Sequence, residues 1–183
     1  METMTHIQHK VQHRFINHKT NIFAETLIVG TFNPDTEKNE ADFFYGRSRN
    51  YLWRILATAF DEEDLKGKEK SIKLDFIKRQ KIEFVDVISE VIVDEVSNYY
   101  DGYLDNKVSN WRDVISEIKK LKYIKRVCFT RISFSDIPQI HKKVEEIRLF
   151  CLENKIHFQY LTTPARFYNT DKQQEWNNFF LKC

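Results

Sequence analysis

Glycine and proline are scarce in this chain, with four glycines and three prolines among 183 residues. That scarcity excludes a collagen-like or linker-like chain. The four glycines also form no Gly-x-Gly-x-x-Gly or P-loop run, so no nucleotide phosphate cradle is supported. Cysteine is equally sparse: Cys128, Cys151 and Cys183 are odd in number, far apart and not in Cys-x-x-Cys spacing. A disulfide framework, a zinc knuckle and a four-cysteine iron–sulfur site are therefore not expected, and a reducing, cytoplasmic setting is. No apolar run is long enough to span a bilayer, and residues 1–20 lack the apolar stretch of a secretory signal. Neither charge sign dominates, because 29 basic side chains face 27 acidic ones. So small an excess neither requires nor excludes a nucleic-acid partner; a local basic face decides that.

What the chain does contain suits one packed domain over residues 1–183. It is 42% hydrophobic and 31% charged, the balance of a globular core with a solvated surface. Fifteen phenylalanines and eight tyrosines supply rings that fill a core or stack on bases.

Residues 5–18 read as a first helix, with Ile7, Val11 and Phe15 as a thin apolar stripe. His6, His9 and His13 fall beside that stripe. No carboxylate or cysteine accompanies them, so a solvated face is favoured and no metal site is expected. Residues 26–30, 82–88, 125–130 and 155–161 read as strands, the first being an unbroken apolar run ending at Gly30. Helices are expected from an N-cap at Ser48 to about residue 60, over 72–77, along Val114, Ile115, Ile118 and Leu121, over 137–152, and after a cap at Asp171. Residues 91–108 are ambiguous. Alternating strands and helices predict an α/β fold, a three-layer α/β/α sandwich with a central, mostly parallel four-stranded sheet.

Ligands of such sheets bind at the carboxyl ends of the strands. Three ends carry candidate chemistry: Gly30-Thr-Phe-Asn-Pro-Asp35, Thr130-Arg131, and Leu161-Thr-Thr-Pro-Ala-Arg166. The loop after Gly30 runs for roughly fifteen residues, long for a βα connection, which favours a functional loop. It carries Asp42-Phe-Phe-Tyr-Gly-Arg-Ser-Arg-Asn50, which joins rings, cations and a carboxamide in nine positions. Phe43 and Phe44 fit a core plug as well as a stacking role.

The run Leu27-Ile-Val-Gly-Thr-Phe-Asn-Pro34, followed by Phe43-Phe-Tyr-Gly-Arg-Ser-Arg-Asn-Tyr-Leu-Trp-Arg-Ile-Leu56, resembles the first motif region of the uracil-DNA glycosylase superfamily. Its mismatch-specific and hypoxanthine-DNA glycosylase branches are the nearer match. Glu83-Phe-Val-Asp-Val-Ile88, Gly102-Tyr-Leu-Asp105, Val127-Cys-Phe-Thr130 and Leu161-Thr-Thr-Pro-Ala165 resemble later segments of those branches in the same order. The resemblance implies an enzyme that extrudes a deaminated base, uracil or hypoxanthine, from DNA and hydrolyses its N-glycosidic bond in base excision repair, without a cofactor. It implies catalytic groups at Asn33 first and Asn50 second, because the spacing after Gly30 admits two alignments, with Asp35 as a possible base. It implies base contacts from Thr31, Phe32, Phe44, Tyr45, Asp86 and Thr130. DNA contacts are implied at Arg47, Arg49, Thr162, Thr163, Arg166 and Phe167. DNA carrying damaged or mismatched bases is the expected partner of a monomer with no membrane association. Two other readings stay open. One is a nucleic-acid-binding relative without activity, and the other is a small-molecule hydrolase or transferase sharing only the architecture.

Overall fold

The computed structural model describes residues 7–181. Along the chain run β1 (His9–Gln12), β2 (Thr26–Gly30), α1 (Leu52–Ala59), α2 (Lys70–Gln80), β3 (Ile82–Asp86), β4 (Ile88–Val93), α3 (Asp101–Leu104), β5 (Val108–Trp111), α4 (Val114–Lys120), β6 (Arg126–Phe129), α5 (Pro138–Glu153), β7 (His157–Tyr160) and α6 (Thr170–Leu181). The four expected strands form one fully parallel sheet in the order β3-β2-β6-β7. Every residue of β2, β3 and β6 is buried, and in β2 this shows in the sequence as an apolar run rather than an alternating one.

The two faces of that sheet carry separate cores. Leu27, Val29, Val127 and Phe129 pack with Val114 and Ile118 of α4 and with Ile140, Val144 and Ile147 of α5. Ile28, Phe84 and Cys128 face the other way, onto Leu52 to Ala57 of α1, Phe76 and Ile77 of α2, and Trp176 and Phe179 of α6. This is the expected α/β/α sandwich.

Two local expectations are corrected, and one ambiguous stretch is resolved. The helix expected over residues 5–18 is not formed by 7–18; Thr5 and His6 lie outside the described residues, and His9–Gln12 is a strand. It pairs antiparallel with β4, His9 opposite Val93 and Val11 opposite Val91. The pairing buries Val11 in the α4/α5-side core and leaves Lys10 and Gln12 outside, so tertiary context overrides the four-residue apolar spacing. Residues 91–108 resolve into the end of β4, α3 and the start of β5, and β1-β4-β5 form a second, antiparallel sheet. The helix starts also move. Asn50, not Ser48, accepts the Leu52 N–H at 2.9 Å, and Asn169, not Asp171, accepts the Lys172 N–H at 2.9 Å.

Helix α5 has no capping side chain of its own, since its N-cap is Ile137 followed by a proline. Asp105, buried, takes that place from a distance: its Oδ1 accepts the Ile140 N–H at 2.7 Å and its Oδ2 the Gln139 N–H at 3.0 Å. Asp105→Ala is expected to lower unfolding free energy by about 2 kcal/mol, because two orphan helix donors lose their acceptor. Urea denaturation checks this; an unchanged midpoint would show that the cap contributes nothing.

Candidate active site

Connections from adjacent strands leave for opposite faces at one place in the parallel sheet. The chain leaves β2 toward α1 on one face, while it leaves neighbouring β6 toward α5 on the other. A crevice opens at such a reversal, outside the carboxyl ends of the strands. Gly30 and Thr130 flank it, and Asp86 sits opposite Gly30 in register on β3.

Four side chains converge there. The Tyr45 hydroxyl lies 3.3 Å from Thr130 Oγ1. A Cβ on Gly30 would come within 2.3 Å of Asp86 Oδ1 and 2.6 Å of Tyr45 Oη, so only glycine admits both groups. Asp86 Oδ2 is 2.7 Å from His13 Nε2, and both residues are buried. His13 Nδ1 accepts the Phe15 N–H at 3.0 Å. The proton of the ring is therefore on Nε2, which donates to Asp86. Tyr45 holds a left-handed backbone, φ 56°, which a tyrosine adopts only where its surroundings impose it. Burial, reinforced by Asp86, pushes its phenol well above the ordinary range, so it remains a hydroxyl donor. Asp101 stands nearby. Burial raises its carboxyl, while Arg131 at 3.0 Å and the Thr31 side chain pull it down.

Beside this floor lies a cleft of about 580 Å³, lined by Tyr45, Arg47, Asn50, Trp53, Lys73 and Tyr99 with Lys38 and Lys66 at its rim. Lys73 is ion-paired with Asp42 at 2.9 Å, and Glu40 is the one carboxylate among the lining residues. Desolvation holds the Arg47 guanidinium below its ordinary pKa despite Asp86.

Of the two candidate carboxamides, only Asn50 borders this cleft. Its Oδ1 is engaged by the Leu52 N–H, which leaves Nδ2 as the group with donors to offer. Asn33 is buried, its Oδ1 accepting from Asn39 Nδ2 at 2.6 Å, and it is not among the residues that line the cleft. Asp35 is exposed, its N–H donates to Gln12 O at 2.9 Å, and it does not line the cleft either. Phe44 is a core ring. It is 2% exposed and stacked at 5.7 Å on Phe84, too enclosed to receive a base, and Tyr45 is the ring of that pair that borders the cleft. Phe43 is buried with it. Phe32 packs edge-on to His13 at 5.8 Å and against Tyr99 at 6.3 Å, behind the floor.

The loops after β2 and β7 are clasped together. Asn50 and Ala165 form an antiparallel bridge, with the Tyr51 N–H on Pro164 O at 2.9 Å and the Arg166 N–H on Arg49 O at 2.8 Å. This brings exposed Arg49, Arg166 and Phe167 to one rim. Behind them Lys172, buried, donates to the carbonyls of Ala165 at 3.2 Å and Phe167 at 2.6 Å and fixes the loop. The Thr162 N–H is held by Glu175 at 3.1 Å, and Thr163 Oγ1 accepts the Ala165 N–H at 3.3 Å, so both threonines shape the loop from within. His13, Glu40, Tyr99, Asp101 and Lys66 escaped sequence reading. His13 falls in the expected helix over residues 5–18, and Tyr99 and Asp101 in the ambiguous stretch 91–108. Among the described residues no three His, Cys, Asp or Glu side chains cluster as metal ligands.

No family model and no curated protein matches the chain. A solution NMR structure of a Methanosarcina acetivorans protein, given the provisional description of a uracil DNA glycosylase, is similar: 20% identity, a TM-score of 0.63, and coverage of 88% of this chain and 91% of that one. The chain thus has the α/β fold of that protein over most of its length.

Proposed function

We propose that this chain is a DNA glycosylase of the uracil-DNA glycosylase superfamily that hydrolyses the N-glycosidic bond of an extruded, deaminated base. One observation carries the reading: the Asn50 carboxamide borders a cleft that Tyr45 joins to the sheet reversal, with Oδ1 tied down and Nδ2 left to donate. The motif that resembles the superfamily lines the same cleft, and the fold agrees. A base turned out of the helix enters past Tyr45, whose ring covers one face. The C1′–N bond breaks with its electron pair passing to the base, which takes a proton from solvent. A water held by Asn50 Nδ2 adds to C1′ and gives up its proton, with Glu40 the cleft carboxylate available to receive it. The Arg49, Arg166 and Phe167 rim meets the DNA backbone and the gap in the base stack.

Single-turnover release of base from oligonucleotides carrying uracil, hypoxanthine or xanthine tests this. Folded protein that releases none of them sinks it. Binding without chemistry is the second reading, favoured because Asn50 already has a structural task at the start of α1. It predicts salt-dependent binding to damaged DNA that Asn50→Ala leaves intact. Arg166→Ala is expected to weaken DNA binding and reduce the slope of log K against log salt by about 1, the signature of one lost phosphate contact. An unchanged slope places Arg166 off the DNA path.

A further inference from the structure

The end of the parallel sheet opposite the crevice, where the chain enters β2, β3 and β6, carries a cluster that the cleft does not use. Three apolar side chains stand exposed there: Ile22 at 38%, Phe23 at 51% and Tyr123 at 56%. The two rings stack, their centroids 5.9 Å apart and their planes 21° from parallel. The loops that bear them are joined by the Lys122 N–H on Ile22 O at 2.9 Å. Phe23 is held outward from both sides. Its N–H donates to Asn21 Oδ1 at 3.0 Å, and Ala24, next in the chain, is fully buried. Single exposed apolar side chains are ordinary on a surface, but three placed together in preset positions mark a contact surface.

Lysines surround this spot. Lys122 Nζ lies 5.9 Å from the centre of the Phe23 ring and makes no ion pair among the described residues. Lys81 and Lys125, both more than half exposed, share one carboxylate, Glu25, at 2.5 and 2.6 Å. One carboxylate balances one of them, so positive charge is left over.

The charges and ring contacts select the occupant. A second copy of this chain related by a two-fold axis would set these lysines against their own images. A nucleobase needs an open ring face, whereas Phe23 already shares its ring with Tyr123 and Lys122, and Ile22 offers no stacking surface. An apolar side chain needs no open face. It packs against ring edges and the Ile22 chain, while neighbouring carboxylates meet the ammonium groups. We propose that this patch docks an acidic segment of a partner protein, with an apolar side chain seated on Ile22, Phe23 and Tyr123 and flanking Asp or Glu carboxylates on Lys122 and on the surplus charge of the Lys81–Glu25–Lys125 group. Patch and crevice lie at opposite ends of β2, about 15 Å apart along the strand. A partner seated here therefore leaves the cleft open, and its docking does not depend on what the cleft does.

The test is selection of a random peptide library displayed on phage against the immobilised full chain, with the variant Phe23→Ser/Tyr123→Ser as the depleting surface. Peptides kept by the parent alone are expected to carry Phe, Leu or Ile beside Asp or Glu. An enriched peptide, made synthetically and followed by fluorescence polarisation, is expected to bind the double variant at least about tenfold more weakly. Lys122→Glu is expected to weaken it by a similar factor, and added salt to weaken it further. All three substituted side chains are exposed, so melting curves like the parent's are expected. If the double variant does not fold, Lys122→Glu decides alone. The same proteins are tested for binding to a thymidine oligonucleotide and to phosphatidylglycerol vesicles, and for self-association by sedimentation. The proposal is overturned if parent and double variant enrich the same peptides, if the enriched peptides are not acidic, or if Lys122→Glu binds them as the parent does. It is also overturned if the substitutions abolish oligonucleotide binding, vesicle binding or self-association while peptide binding stands.

Discussion

Asn50→Ala is expected to reduce release of uracil or hypoxanthine by about 100-fold or more, the size of effect seen when one fixed donor is taken from a reacting site. Alanine removes two things at once, the Nδ2 donor at the cleft and the Oδ1 acceptor of the Leu52 N–H. Asn50→Asp separates them. Aspartate accepts the same N–H and caps a helix as well as asparagine does, but it brings no donor. Equal losses in both variants, with the aspartate variant melting like the parent, locate the effect in Nδ2. Full activity in Asn50→Asp removes Nδ2 from the mechanism. Asn33→Ala serves as the contrast. Asn39 Nδ2 loses its 2.6 Å bond to Asn33 but keeps Pro34 O at 2.7 Å, so a stability cost of about 1 kcal/mol is expected, with the chemistry retained.

Gly30→Ala is the second large effect. The added methyl would stand 2.3 Å from Asp86 Oδ1 and 2.6 Å from Tyr45 Oη, well inside van der Waals contact. Neither neighbour yields easily. Asp86 is held by His13, and Tyr45 by Thr130 and a backbone already in the left-handed region. Overpacking of this kind costs about 1–3 kcal/mol, and it displaces the two side chains that meet over Gly30. Base release is expected to fall by about 100-fold or more while the protein still folds, since a small misplacement of positioning groups costs rate steeply. A denaturation midpoint and a release rate both like the parent's would show that the end of β2 tolerates more room than its geometry allows.

The parallel sheet was legible because burial on both faces writes a signal that needs no partner to read. Thr26–Gly30 is apolar almost throughout, and its bounds in the structure are those of the run itself. Helices α4 and α5 were legible for a related reason, each carrying one apolar stripe onto the sheet. The second sheet was not. Strand β1 has four residues and one buried side chain, Val11, so its pattern over so short a span fits a helix equally well. Only β4 alongside it decides.

The site divides in the same way. Sequence pointed to the ends of β2, β6 and β7 as candidate functional segments, because topology dictates where a parallel sheet binds. It brought out both carboxamides but had no means of choosing between them. Asn33 and Asn50 differ in what surrounds them, one facing Asn39 and the other facing a cleft. Phe44 and Tyr45 are adjacent rings, and only a left-handed turn at Tyr45 sends one into the core and the other to the floor. His13 and Asp86 lie 73 residues apart, and no local pattern announces a hydrogen bond between them. The sequence by itself determined the layers, the direction of the sheet and the edge on which chemistry gathers, since these follow from local periodicity and chain connectivity. The tertiary structure alone decided which side chains border the cleft and its floor, and which ring nitrogen of His13 faces Asp86. That depends on long-range contacts, in which one N–H from Phe15 fixes a histidine and the histidine fixes the aspartate at the end of the next strand.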